Sequence, residues 1–228
     1  MSPKPADPGV RVALIEAAAS LVAEGGVAAL TIRRLAAAVG TSTMAIYTHF
    51  GGMEELRAEM QKEGFARLSA RIATIRPTAD PVADISAMGW GYCFNAIADP
   101  AFYRIMFMEA PVEDVGAIAA GAAAFEPLVS VVQRCIDAGR FAPADAWSLA
   151  TQLWTMCHGF VTLCLAGLMT DDAVISYLNA MACNMFVGFG DDREEAAASI
   201  QRAERRMRRQ MPTLESRPVP AVRTAHSR

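Results

Sequence analysis

The chain has 228 residues, of which 53% are hydrophobic, so it is long enough and apolar enough to bury a sizeable core. No long run alternates apolar and polar residues, which argues against a β-sheet and favours an all-α fold. The net charge is −3, and residues 1–9 lack the apolar stretch of a signal peptide, so we expect a cytoplasmic protein.

Charge is distributed unevenly along the chain. Residues 1–65 carry six basic and seven acidic side chains, residues 66–200 carry seven and fifteen, and residues 201–228 carry eight and two. A protein that holds nucleic acid by charge alone is expected to be basic where it binds. Any DNA contact from the near-neutral first third must therefore depend on the local placement of hydrogen-bond donors.

Two short amphipathic helices are predicted first. Residues 10–24 place apolar side chains at helical spacing until a Gly-Gly pair ends the pattern. Thr31 is the predicted N-cap of a second helix, because a threonine hydroxyl can accept a bond from a free backbone N–H. Gly40 is predicted to form the turn after that helix, which ends near Val39.

A third helix is predicted over residues 43–50, with Ser42 as its N-cap. Ile46 and Phe50 are four residues apart and must anchor so short a helix to the first two. The other side chains then point away from this small core. Three helices with a tight turn between the second and third form a helix-turn-helix, which predicts a DNA-binding protein.

Residues 17–56 resemble the DNA-binding domain of TetR-family transcriptional regulators. The resemblance rests on the run LVAEGGVAALTIRRLAAAVGTS, the IYTHF ending of the third helix and the following GGMEEL. It implies that the third helix enters the major groove of a palindromic operator in double-stranded DNA. The residues it places nearest the base edges are Thr43, Met44, Ala45 and Thr48. The residues it places against phosphates are Thr31, Arg33, Ser42, Tyr47 and His49.

One position departs from the family pattern. The fourth helix, predicted over residues 53–76, opens at Met53, where the family often has a lysine that grips a phosphate. A backbone N–H near Gly52 could substitute for it. The departure leaves open a second interpretation, a helical protein that binds small molecules and has weak or lost DNA binding.

Aromatic and methionine side chains are dense between residues 85 and 111. Such a composition suits either an adaptable pocket wall or an ordinary core. The segment DPAFYRIMF and a later Trp154 with His158-Gly159 resemble the ligand-sensing region of one TetR subgroup. From the aromatic composition together with this resemblance, we expect a small hydrophobic effector bound by Trp90, Phe94, Tyr103, Met106, Phe107, Trp154 and His158.

His158 has other interpretations, because a single histidine on an apolar helix is usually a core residue. Catalysis is a further alternative, but no set of nucleophile, base and orienting group is visible, so we predict no enzyme. We also predict no metal and no cofactor, because no ligand pattern surrounds His158. The five cysteines form no CxxC pair and are expected to be buried, reduced thiols.

Residues 146–170 contain no Asp, Glu, Lys or Arg, and residues 173–190 are also uncharged. The first segment is long enough to span a bilayer. Its acidic flanks and the polar side of its first half argue against a membrane. Two consecutive uncharged helices instead favour a four-helix bundle between two copies, so we expect a homodimer.

We therefore predict three regions: a helix-turn-helix domain at residues 1–52, a helical domain for ligand binding and dimerisation at 53–192, and a basic helix with a disordered tail at 193–228. Residues 112–120 are predicted to be a loop, followed by a helix over 121–138. The predicted function is a repressor released from its operator by the effector. The alternatives are the small-molecule binder without firm DNA contact and a helical enzyme that uses His158.

Overall fold

The computed structural model describes residues 8–107, 114–169 and 171–210, with the backbone alone for 171–174. All regular elements among these residues are helical, which confirms the all-α prediction. The tail predicted to be disordered after residue 210 lies outside the described residues, as do positions 112 and 113 of the predicted loop.

Ten α-helices and one short 3-10 turn, Val27–Ala29, follow one another within the described residues. The first five helices are α1 (Pro8–Gly25), α2 (Ile32–Val39), α3 (Thr43–Phe50), α4 (Met53–Ala73) and α5 (Pro81–Ala98). The next five are α6 (Pro100–Phe107), α7 (Val115–Asp137), α8 (Ala146–Leu165), α9 (Asp171–Gly188) and α10 (Arg193–Gln210). The predicted bounds of the first three helices therefore hold to within two residues.

The described residues form two compact units. The first unit takes its residues from Met1–Leu68 and Asp99–Ala124, and the second from Ser69–Ala98 and Phe125–Arg228. Helices α4 and α7 each contribute residues to both units. These packing units differ from the functional division predicted at residues 52 and 192, which stays a prediction.

The core of the first unit is built from the apolar stripes of α1 to α4, together with α6. Leu14, Leu35, Ile46 and Met60 have no exposed surface. Phe102 of α6 belongs to the same buried cluster and is only 2% exposed. Helix α6 is therefore part of the core that holds the three N-terminal helices.

The helix-turn-helix has the predicted capping at two of the three positions that the sequence marks, Thr31, Gly40 and Ser42. The Thr31 hydroxyl accepts a bond from the Arg34 N–H at 3.3 Å, and Gly40 has φ 67°, a left-handed conformation that favours glycine. Ser42 lies at the N-cap of α3, but its hydroxyl makes no capping bond. Its own carbonyl instead accepts from the Ala45 N–H at 3.0 Å, which satisfies that donor through the backbone.

The second unit packs α5, α8, α9 and α10 around a core that includes Val132, Ala150 and Phe186. Ion pairs join the segment between α7 and α8 to the start of α10 at the edge of this unit. Arg140 donates to Asp191 at 2.6 Å, and this hydrogen bond raises the pKa of the Arg140 guanidinium. These links fix the start of α10 against the rest of the unit.

All five cysteines are free thiols, and all except the half-buried Cys183 are buried. Burial raises the pKa of Cys135 to about 12. The hydrogen bond with Cys157, together with burial, raises the pKa of Cys93 well above its ordinary value. These surroundings favour the protonated thiol and make both groups poor nucleophiles.

Two predicted boundaries were wrong. The described part of the predicted loop at 112–120 is mostly helical, because α7 begins at Val115. The Asp114 carboxylate accepts from the Ala117 N–H at 2.8 Å and so caps this helix, a signal that the small, weakly periodic residues obscured. Helix α4 ends at Ala73 and not at residue 76.

Among the helices of the described residues, α7 is the one that is long and apolar enough to cross a membrane by length and composition, and 17% of its most apolar stretch is buried. Its first half packs closely on α4. A Cβ added to Gly121 would lie 3.1 Å from the Phe65 ring, and one added to Gly116 would lie 2.8 Å from the Lys62 side chain. The absence of a membrane partner stays a prediction.

Candidate nucleic-acid interface and ligand site

Helix α3 exposes one face, which we call the reading surface: Thr43, Met44, Tyr47 and Thr48. All four side chains are exposed, Met44 at 66% and Tyr47 at 48%. An exposed methionine and an exposed tyrosine on one short helix are unusual where no partner covers them. The prediction that this face points away from the core agrees with the structure.

The opposite face of α3 fixes the reading surface in place. Ile46 is fully buried and Phe50 is 9% exposed, so both predicted anchors lie in the core of the first unit. Gly51, with φ 94°, then ends the helix and accepts no side chain without strain. The helix is thus held by two anchors and two glycine-containing turns, and its outer side chains remain available.

Hydrogen bonds within the helices limit what two of the threonines can do. The Thr48 hydroxyl donates to the Met44 carbonyl at 2.9 Å, which leaves its oxygen as an acceptor on the reading surface. The Thr31 hydroxyl is engaged as the cap of α2. An outside phosphate at the start of α2 would therefore meet backbone N–H groups and Arg33 more readily than the Thr31 hydroxyl.

The remaining predicted DNA-binding residues surround this surface. Arg33 and Ser42 are exposed, whereas Ala45 and His49 are half-buried. The His49 ring lies 6.3 Å from the Phe50 ring, between the anchor and the exposed face. The structure thus brings the predicted set to the surface at the end of the helix-turn-helix, with His49 the least accessible of the charged or polar members.

Met53 opens α4 where the family often has lysine, and its side chain packs against the core cluster of the first unit. It therefore performs an apolar role at this position. The adjoining Glu54 and Glu55 lie in the first turn of α4, where carboxylates are favoured by the helix dipole. Because a methionine side chain carries no charge, Met53 offers no cation to a phosphate at this point.

In the second unit, two of the predicted effector residues form a cluster of rings with two further side chains. Trp154 packs on His158 with ring centres 5.2 Å apart, and on Phe125 at 6.2 Å. The Tyr92 hydroxyl lies 3.2 Å from His158 Nδ1. Burial lowers the pKa of His158, so the imidazole is neutral at neutral pH.

Trp90 and Phe94 lie close together in α5, with ring centres 5.3 Å apart. Trp90 is 2% exposed, and its indole N–H donates to the Asn179 side chain at 3.2 Å. Asn179 in turn donates to Glu204 at 2.7 Å. Trp90 therefore has a structural hydrogen-bond partner, and its ligand-binding role stays a prediction.

The other three predicted effector residues lie on α6, in the first unit. Tyr103 and Met106 are buried and Phe107 is half-buried, with 5.2 Å between the Tyr103 and Phe107 ring centres. Phe65 of α4 meets Phe107 edge-to-face at 5.6 Å. The structure thus places the predicted effector residues in three groups, two in the second unit and one in the first.

Sequence reasoning did not select Tyr92 or Phe125 for the effector site. Tyr92 meets His158 across 66 positions of sequence, and no periodicity predicts such a pairing. The dense aromatic composition of residues 90–94 was the only available signal. Within the described residues, no group of three or more His, Cys, Asp and Glu side chains is placed to hold a metal ion.

Helices α8 and α9 expose a second surface, the α8–α9 face: Gly159, Leu163, Tyr177 and Met181. Leu163 is 45% exposed, Tyr177 53% and Met181 40%. A Cβ added to Gly159 would meet nothing within 4 Å. Three nearby threonine hydroxyls donate back to carbonyls of α8, which leaves less polar surface; these are Thr151, Thr155 and Thr162.

The basic end of α10 lines a surface hollow of about 320 Å³ with Arg202, Arg205, Arg206, Arg209 and Gln210. Part of this charge is balanced within the second unit. Arg202 pairs with Asp80 at 2.6 Å, and Arg206 donates to the Arg76 carbonyl at 2.6 Å. Burial would raise the pKa of Asp80, but hydrogen bonds from the Ala83 N–H and Arg202 lower it overall.

Two family descriptions match the chain. Residues 14–60 match "Bacterial regulatory proteins, tetR family", and residues 85–183 match "Tetracyclin repressor-like, C-terminal domain". The first match contains α2, α3 and the reading surface. The second contains the ring cluster around His158 and the whole α8–α9 face.

Individual proteins agree with these matches. An uncharacterized helix-turn-helix-type transcriptional regulator of Mycobacterium tuberculosis is 28% identical over 174 residues, which cover 73% of this chain and 76% of that protein. A protein of unknown function from Rhodococcus sp. RHA1 is 26% identical, with TM-score 0.70 and coverage of 83% and 99%. FadR from Bacillus subtilis in complex with stearoyl-CoA is 15% identical, with TM-score 0.66 and coverage of 78% and 98%, a likeness that shows the fold.

Proposed function

The chain belongs to the TetR family of transcriptional regulators, and from this membership we propose that it is a homodimeric repressor that leaves its operator when a small hydrophobic effector binds. The observation that carries the proposal is the exposed reading surface on α3, held by two buried anchors. A helix presented in this way can enter the major groove.

The chemistry of the reading surface suits base contacts. Thr43 and Thr48 supply hydroxyl oxygens, and Met44 offers an apolar contact for a thymine methyl group. Tyr47 is exposed beside them and can reach a phosphate. Arg33 at the start of α2 adds a cation close to free backbone N–H groups, which favours a second phosphate contact.

Two observations support the proposed homodimer: the spacing of successive major grooves and the exposed α8–α9 face. Two reading helices must lie about 34 Å apart, one turn of DNA, to enter successive major grooves. An uncharged face with exposed leucine, tyrosine and methionine is the surface that a second copy would cover. Gly159 leaves room for the close approach of a neighbouring helix.

The effector is proposed to be apolar and uncharged at the end that meets His158. The ring cluster of Trp154, Phe125 and Tyr92 offers apolar surface, and the neutral imidazole offers a hydrogen bond without a charge. The stearoyl-CoA complex of FadR supports a hydrophobic ligand for a related fold. An effector releases DNA only if it binds better to the conformation whose reading helices are wrongly spaced.

Selection from a random pool of double-stranded DNA tests the DNA-binding part. We expect purified protein to enrich a palindrome whose half-sites are one helical turn apart, with affinity that falls steeply as salt rises. Enrichment of no sequence at low salt would favour the alternative, a small-molecule binder without DNA contact.

The effector part is tested by titration with an uncharged naphthylamine fluorophore, a hydrophobic probe that needs no knowledge of the natural ligand. We expect the probe to bind and to weaken binding to the selected duplex. His158→Leu removes the hydrogen bond while keeping the apolar surface, so it should change affinity for polar analogues of the probe more than for the probe itself. Equal changes for both would exclude His158 from the site.

A further inference from the structure

Helix α6 is packed as a member of the first unit and carries three of the predicted effector residues. Phe102 and Ile105 are each 2% exposed and belong to the core cluster shared with α1 to α4. The buried Gln61 side chain of α4 donates to the Ile105 carbonyl at 3.0 Å. Any rigid connection between α6 and α3, the helix that carries the reading surface, therefore lies inside this unit.

A second side chain of α4 contacts both α6 and α1. Arg67, near the end of the α4 segment in the first unit, places its guanidinium 4.1 Å from the centre of the Phe102 ring. It also pairs with Glu63 at 2.8 Å and with Glu16 of α1. Asp99, just before α6, lies 3.9 Å from the same guanidinium.

The contacts of Arg67 need an arginine. A planar guanidinium can stack on an aromatic ring and present several N–H donors in its plane at the same time, whereas a lysine ammonium is a single point charge. Three carboxylates, those of Glu16, Glu63 and Asp99, surround the one cation. Loss of the cation would leave their repulsion uncompensated and would loosen α1 and α6 from α4.

We propose that Arg67 is a positioning residue that makes α6 move as one body with α1 and α4. An effector that displaces Tyr103, Met106 or Phe107 then moves the helices that carry the reading surface directly, without a flexible segment in between. The inference rests on the proposed function for its regulatory meaning, but the mechanical coupling is a property of the first unit alone.

Arg11 provides a matched control in the same unit. It pairs with Glu59 of α4, and its guanidinium lies 5.3 Å from the centre of the Phe50 ring. Arg11→Met thus removes an ion pair and a cation–π contact between α1, α3 and α4. Arg67→Met removes the same kinds of interaction but includes α6.

Native-state hydrogen exchange on the full chain without DNA measures the coupling. In the unaltered protein and in Arg11→Met, we expect amides of residues 104–107 to open together with those of α1 and α4. In Arg67→Met, α6 amides should exchange about tenfold faster than those of α1 and α4, a size consistent with a cation–π contact and its ion pairs. Arg67→Lys should give an intermediate ratio.

A merely structural role would raise exchange in all helices of the unit by one factor and leave the ratio unchanged, which would overturn the proposal. Independent opening of α6 in the unaltered protein would also overturn it. A separate measurement adds the duplex enriched by selection. Its binding should slow hydrogen exchange of the α6 amides in the unaltered protein and in Arg11→Met, but not in Arg67→Met. Failure of all proteins to bind any duplex refutes the proposed function and leaves the DNA-free result standing.

Discussion

The reading surface and the α8–α9 face both leave large side chains exposed, but they differ in chemistry. The reading surface alternates hydroxyl groups with methionine and tyrosine on a helix of eight residues. The α8–α9 face lies on two longer helices whose central residues carry no charge, and hydroxyls of α8 are turned back to its own backbone. The reading surface suits hydrogen bonding to the edges of bases, and the α8–α9 face suits burial against another apolar surface.

The difference teaches that exposure alone does not identify a partner. An exposed residue with unsatisfied hydrogen-bonding atoms points to a polar partner such as a base or a phosphate. An exposed residue within an uncharged face points to a partner that excludes water. Substitutions in the two surfaces should therefore have separable effects on DNA binding and on assembly.

The largest effect is expected from charge in the α8–α9 face. Leu163→Glu with Met181→Glu would bury four like charges in a twofold interface, at a cost of several kcal/mol. We expect a monomer in sedimentation and a loss of at least about a hundredfold in affinity for the selected duplex, because both reading helices no longer bind together. Ile118→Glu, at a position 64% exposed on α7, is the matched control and should remain dimeric. A double variant that remains dimeric would contradict the assignment of this face as the dimer interface.

A smaller effect is expected on the reading surface. Thr43→Ala with Thr48→Ala should weaken duplex binding about ten- to a hundredfold, since a single hydroxyl contact lies at the low end of the range for base contacts, roughly 1 kcal/mol. The dimer should be unaffected. Thr74→Ala controls for loss of an exposed threonine, because the Thr74 hydroxyl, one residue after α4, also donates to a backbone carbonyl, that of Arg71 at 2.7 Å. Equal affinity of the double variant and the control would contradict the interpretation of α3.

The smallest effect is expected on the free energy of unfolding as the pH is lowered. Burial lowers the pKa of His158 below its ordinary value of 6.5, so the unfolded chain binds the proton more readily than the folded one. Stability associated with the neutral imidazole is thus present above pH 6.5 and is lost as pH falls below it. Urea unfolding followed by tryptophan fluorescence should show this loss, since all three tryptophans lie in the second unit. His158→Gln should flatten the pH dependence, and an unchanged slope would exclude His158 as its source.

Local signals predicted the first three helices well. Thr31 and Gly40 mark the two ends of α2 through capping chemistry, and the spacing of Ile46 and Phe50 settles which face of α3 is buried. These signals act over four or five residues, so one sequence contains all the information they need. The reading surface followed directly from them.

Contacts between distant segments were not predictable in the same way. Arg67 of α4 meets Phe102 of α6, with the whole of α5 between them in the chain, and Tyr92 of α5 meets His158 of α8. The sequence predicted that these segments are apolar helices, but not which side chains meet when they pack. The start of α7 was missed for a different reason, since alanine and glycine at residues 116–124 give little amphipathic contrast.

The uncharged α8–α9 face has a consequence for the lifetime of the protein. If two copies pair through this face as proposed, a newly made single copy exposes the apolar surface until it pairs, and during that interval it is a substrate for chaperones and proteases. Encounter is slower when copies are scarce, so degradation would remove a larger fraction at low abundance. Cellular turnover would then depend on expression level, and a gene that controls its own transcription would couple the two quantities.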